Sequence, residues 1–184
     1  MTTDKQTRVA VLLGSTRSGS LNRRIAEHLR DNAPAGVTVD VVEGLDTVPF
    51  YNEEIDGDTV PASASSLRQA VAAADRVLAV TPEYNGTMPA VLNNAIDWLS
   101  RPYGQGAIAG KPFAAIGATP TPYGGKWSHE HARHSASIAG AVVVDGIVVD
   151  VAAVEGDPLN DEAKVQELLG ALDALVAHEA EAAA

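Results

Sequence analysis

Five short apolar runs with helical patterns between them constrain this chain more than any other feature. They cover residues 8–13, 37–42, 76–80, 112–116 and 141–149. Each is short enough for a strand, and nearly all are continuously apolar rather than alternating, as strands covered on both faces must be. The segments between them supply the cover. Met88, Val91, Leu92, Ala95, Ile96 and Leu99 fall on one stripe at about a 3.6-residue period, with Thr87 as the expected N-cap and Pro89 in the first turn. Val165, Leu168, Leu169, Leu172, Leu175 and Val176 repeat that spacing in a C-terminal docking helix. Parallel neighbours need right-handed crossovers, so the expected fold is α/β, a doubly wound five-stranded parallel sheet with helices on both faces. Residues 46–61 are too long for a plain turn and read as a surface excursion near the site.

A length of 184 residues suits one domain over residues 1–184, and 46% hydrophobic with 20% charged residues is globular composition. A net charge of -11 repels polyphosphate backbones and anionic lipid, which argues against nucleic acid and membrane partners. The absence of cysteine removes disulfides, thiolate metal sites and cysteine nucleophiles together. The polar start and the lack of a membrane-length apolar run lead to a soluble, cytoplasmic expectation. The glycosylation pattern Asn85-Gly86-Thr87 then has no modifying machinery to meet. Residues 179–184 are expected to fray.

In a doubly wound sheet, ligands bind at the carboxyl ends of the strands where the winding reverses. After the first strand the chain reads Gly14-Ser-Thr-Arg-Ser-Gly-Ser-Leu-Asn22, with a helix expected over 23–32. Ser20 stands where a P-loop would place lysine after Gly19, so a nucleoside triphosphate is disfavoured. Thr16 and Gly19 fall at the second and third glycine positions of the dinucleotide fingerprint, which disfavours a pyrophosphate approach. What remains suits a terminal phosphate monoester held by Ser15, Arg17, Ser20 and Asn22 at a helix N-terminus, or a serine-rich turn that only caps the helix.

After the third strand comes Thr81-Pro-Glu-Tyr-Asn-Gly86. A mononucleotide whose phosphate sits on the first loop would extend its ring toward Pro82, Glu83, Tyr84 and Asn85. Tyr84 offers a flat apolar contact with a polar edge, Asn85 can read a heterocycle's donor and acceptor edge, and Gly86 permits close backbone approach. A plain turn at Asn85-Gly86 is the simpler alternative. His129, His131 and His134 do not read as a metal site, because His129 and His131 point about 200° apart on a helix. His28 and His178 read as solvated, and Glu53, Glu54, Asp56 and Asp58 as loop solubility without EF-hand spacing.

Taken together, Gly14 to Arg24, Pro49-Phe-Tyr-Asn52, Thr81 to Gly86 with Asn94-Ala-Ile-Asp-Trp-Leu-Ser100, and Gly117-Ala-Thr119 followed by Gly124-Gly125 resemble the NADPH-dependent FMN reductases. That family has a flavodoxin-like fold with strand order 2-1-3-4-5 and includes quinone, chromate and azo-dye reductases. The resemblance implies that Ser15, Arg17, Ser20, Leu21 and Asn22 hold the FMN phosphate, and that Pro82, Glu83, Tyr84, Asn85 and Gly86 line the isoalloxazine. Thr119 stands where the family usually carries a ring-contacting serine, ahead of the proline-rich Pro120-Thr-Pro-Tyr123. The flavin carries the chemistry, so no catalytic side chain is implied. The implied activity passes electrons from NADPH or NADH through FMN to a quinone, a flavin or another small oxidant by a ping-pong mechanism, in a homodimer or homotetramer. Two other readings stand beside it: a flavodoxin-type electron carrier, and a Rossmann dehydrogenase with Asp40 or Glu43 as the ribose acid.

Overall fold

The computed structural model describes residues 6–179. In chain order these form β1 (Thr7–Leu13), α1 (Leu21–Asp31), β2 (Val37–Val42), α2 (Ala62–Ala72), β3 (Arg76–Val80), α3 (Ala90–Leu99), β4 (Pro112–Thr119), α4 (Lys126–Ile138), β5 (Val142–Val143), β6 (Val149–Ala152) and α5 (Glu162–Ala177). The strands make one parallel sheet in the order β2-β1-β3-β4-β5, with β6 also paired to β4. This is the expected order, and the fold is flavodoxin-like.

The fifth apolar run departs from its expected form. β5 pairs with Pro112 and Phe113, whereas β6 pairs with residues 116–119, and a turn at Asp145-Gly146 parts them. Those two turn-forming residues interrupt what hydropathy alone reads as one strand. β4 runs on to Thr119 because β6 supplies it with a partner.

Strand side chains alternate between two cores, as the pleat requires. Ala10, Leu12, Val77, Ala79, Phe113 and Ala115 face α2, α3 and α4, where they meet Leu67, Leu92, Ile96 and Trp98. Val9, Val11, Leu78, Val80, Ala114 and Ile116 face α1 and α5, where they meet Ile25, Leu29, Leu168 and Leu172. Each fully buried aliphatic or aromatic side chain contributes about 1.5–3 kcal/mol through burial, and the sheet carries such residues on both faces.

Helix starts moved relative to expectation. Ser20 caps α1, its Oγ accepting from the Asn22 amide at 3.2 Å, so the helix begins at Leu21. α3 begins at Ala90 with Pro89 at the cap position, and Thr87 closes a turn with Tyr84 instead. Residues 46–61 are pinned rather than loose. Asn94 accepts from the Tyr51 amide at 2.8 Å and donates to the carbonyls of Val48 and Pro49, while Trp98 Nε1 donates to Pro49 at 2.8 Å. No described helix is long and apolar enough to cross a membrane. The fraying expected at the C-terminus lies, beyond Glu179, outside the described residues.

Candidate active site

The loop from β1 to α1 is built as an anion cradle. Among the described residues the amides of Ser15, Thr16, Arg17, Ser18 and Gly19 donate to no protein acceptor. Ser15 is only 2% exposed, and its hydroxyl has no hydrogen-bond partner. Arg17 is exposed and forms no ion pair among the described residues, although the protein is acidic. Unpaired donors, a guanidinium and the positive end of α1 at one place suit a phosphate dianion.

The neighbouring arginines are committed elsewhere. Arg23 grips Glu43 through two bonds of 2.8 and 3.1 Å, and that bond holds the Glu43 carboxyl below its ordinary range. Arg24 pairs with Asp157 and Arg8 with Asp40. Asp40 and Glu43 are therefore taken by arginines and stand as poor ribose acids.

Beside the cradle, at the ends of β3 and β4, a cavity of about 340 Å³ is lined by Arg17, Leu21, Asn22, Pro82, Glu83, Tyr84 and Thr119. These seven residues were all singled out from sequence, and the crossing of the winding brings them together. Ser15 and Ser20 lie in the adjoining cradle. Asn85 and Gly86 form the tip of a two-residue turn, closed by Tyr84–Thr87 backbone bonds of 2.9 and 3.1 Å. Both tip residues have positive φ, 53° and 73°, which asparagine and glycine tolerate. The half-exposed Tyr84 stands at the cavity rim.

Several of these side chains hold the scaffold rather than the opening. The Asn22 amide exchanges two 2.9 Å bonds with the backbone of Ala118, tying the start of α1 to the end of β4. Glu83 Oε2 accepts from the amides of Trp127 and Ser128 at 3.0 and 3.3 Å, so its carboxylate caps α4. The Thr119 hydroxyl meets that of Thr121 at 2.8 Å.

Sequence reasoning weighed His129 only as a metal ligand and did not single out Ser128 or Asp150. Ser128 Oγ donates to the Pro82 carbonyl at 2.8 Å. His129 is fully buried, with Nδ1 2.5 Å from Asp150 and Nε2 3.3 Å from the Thr81 carbonyl. Its position was legible, because residues 129, 132 and 136 follow the core spacing of α4. Asp56 is not merely solubilising. Arg68 binds it through bonds of 2.6 and 2.7 Å and also covers the Trp98 ring. His28 and His178 are half-buried rather than solvated. His131 Nδ1 meets the Thr87 hydroxyl at 2.9 Å.

A larger groove of about 530 Å³ opens between α3 and α4, lined in part by Met88, Ile96, His131 and His134. It lacks the amide cradle and the loop after β4, so the smaller cavity is the candidate site. The family model of the NADPH-dependent FMN reductases matches residues 7–155. The chain belongs to that family. The chain is 42% identical over 127 residues to a quinone reductase of Pseudomonas putida, spanning 69% of this chain and 68% of the other. It is 32% identical over 173 residues to a quinone reductase of Escherichia coli, covering 90% and 92%. The solved structure of FerB, a flavoenzyme NAD(P)H:(acceptor) oxidoreductase from Paracoccus denitrificans, matches with a TM-score of 0.81 and 32% identity over 92% of this chain and 95% of that one. The protein is an enzyme that uses FMN and NAD(P)H, and the cradle with its unpartnered Ser15 hydroxyl fits the FMN phosphate.

Proposed function

We propose that this enzyme carries two electrons from NADPH or NADH to a quinone or similar small oxidant by a ping-pong mechanism. The overall change is NAD(P)H plus a proton plus quinone giving NAD(P)⁺ plus hydroquinone. Bound FMN supplies the hydride and electron transfer chemistry. Ser15, Arg17, the amides of residues 15–19 and the α1 N-terminus would hold its phosphate. Pro82, Tyr84 and Asn85 would form one wall over the ring and Thr119 the other. The observation that carries this reading is the cavity beside the cradle, lined from the loops after β1, β3 and β4. Donor and acceptor would share that cavity above the ring, so NAD(P)⁺ would leave before the quinone enters. The quinone as acceptor is supported by the quinone reductases among the relatives.

Steady-state kinetics with NADPH and a benzoquinone test the proposal. Parallel double-reciprocal lines are expected, with each substrate inhibiting competitively against the other at high concentration. Intersecting lines, together with a quinone complex formed on the NADP⁺-bound protein, would show two separate sites. The reading extends to a homodimer or homotetramer, supported by the exposure of Phe50, Tyr103 and Ile138. Sedimentation of a monomer at assay concentration would refute that part.

A further inference from the structure

We infer that His129 and Asp150 are positioning residues for the wall of the flavin cavity. Three consecutive residues at the start of α4 grip three consecutive residues after β3. The amides of Trp127 and Ser128 hold the Glu83 carboxylate, Ser128 Oγ holds the Pro82 carbonyl, and His129 Nε2 holds the Thr81 carbonyl. Pro82 and Glu83 line the cavity, so their place is set by α4. Thr81 is fully buried, and its carbonyl lies against Gly117, so no solvent can replace the histidine.

His129 faces two oxygen acceptors, the Asp150 carboxylate and the Thr81 carbonyl. A neutral imidazole has one N–H and can donate to only one of them. The proton on Nε2 serves the Thr81 carbonyl, while the Asp150 carboxyl group holds the ring from the Nδ1 side. Asp150 belongs to β6, whose pairing extends β4 to Thr119. The pair therefore ties the ends of β3, β4 and β6 and the start of α4 into one unit. Removing either partner frees the Thr81–Pro82 peptide to shift, and the cavity wall shifts with it.

The inference rests on FMN occupying this cavity, and the experiment separates the two. FMN affinity is measured by flavin fluorescence on wild type, Arg17→Ala, Asp150→Asn, His129→Leu and His129→Gln, with the thermal unfolding of each apoprotein followed alongside. Asp150→Asn is nearly isosteric, and the Asp150 side chain is 21% exposed, so this variant carries the test if His129→Leu fails to fold. The expected result is an FMN dissociation constant raised about tenfold, the scale of one lost hydrogen bond. His129→Gln, which keeps a single donor group, should recover part of the loss seen with His129→Leu. Nitrogen NMR of the wild-type ring should show Nε2 carrying a proton. An unprotonated Nε2 would break the link to Thr81 and overturn the inference, as would wild-type affinity in Asp150→Asn. If Arg17→Ala also binds FMN as wild type does, the placement of the cofactor fails first.

Discussion

Arg17 is a cation held in reserve. Arg8, Arg23 and Arg24 of this acidic chain sit on carboxylates, whereas Arg17 stands at the rim of the cradle with none among the described residues. Arg17→Ala should weaken FMN binding by about 1.5–3 kcal/mol, the range for a hydrogen bond to a charged group, and leave unfolding of the apoprotein unchanged. Fluorescence titration at two salt concentrations checks this, because the wild type should lose more affinity to salt than the variant. At Gly117 the constraint is space. A methyl group there would lie 2.2 Å from the Thr81 carbonyl and 2.7 Å from Asn22 Oδ1. Both neighbours are buried and fixed by their own hydrogen bonds, so Gly117→Ala should destabilise the fold by at least about 2 kcal/mol in urea titration. A neutral outcome would mean that β3 and β4 can part at their ends.

At the scale of elements, the start of α4 depends on a carboxylate from another loop. No side chain within α4's own cap caps it, since the N-cap is Gly125, and Glu83 supplies the acceptor from 44 residues away. Glu83→Ala should cost about 1 kcal/mol, as for loss of a helix cap, and should weaken FMN at the same time because the same loop lines the cavity. Stability loss without any change in FMN affinity would separate cap from cavity. Residues 46–61 depend in the same way on α2. The hydrogen bonds from Arg68 hold the Asp56 carboxyl below its ordinary value of 3.8. A carboxyl with a depressed folded value adds stability above its unfolded value and loses it as pH falls through the folded value. Arg68→Gln should therefore lower stability at neutral pH and flatten the acid limb below about pH 4. Acid unfolding curves of wild type and variant with the same slope would remove the pair from that role.

For the whole molecule, cofactor and fold share one balance sheet. The cradle and cavity join α1, β3, β4 and α4, so FMN should stabilise the native state against unfolding as a unit. At about 100 times its dissociation constant the gain is about 2.7 kcal/mol, read as a rise in melting temperature that FMN produces and riboflavin, which lacks the phosphate, does not match. An equal rise with riboflavin would place the binding energy on the ring rather than the cradle. The alternation of strands and helices and the contents of both loops were legible in the sequence, because periodicity and turn chemistry are local along the chain, whereas the sheet order came only from the family resemblance. The division of the fifth strand was less so, since Asp145-Gly146 sits inside an otherwise apolar run. Partnership was decided only in three dimensions. Asn22 meets Ala118 across 96 residues, Glu83 meets α4 and His129 meets Thr81 and Asp150. A polar side chain in a sequence shows what it can donate or accept, and the folded chain alone decides which backbone group stands within hydrogen-bonding distance to use it.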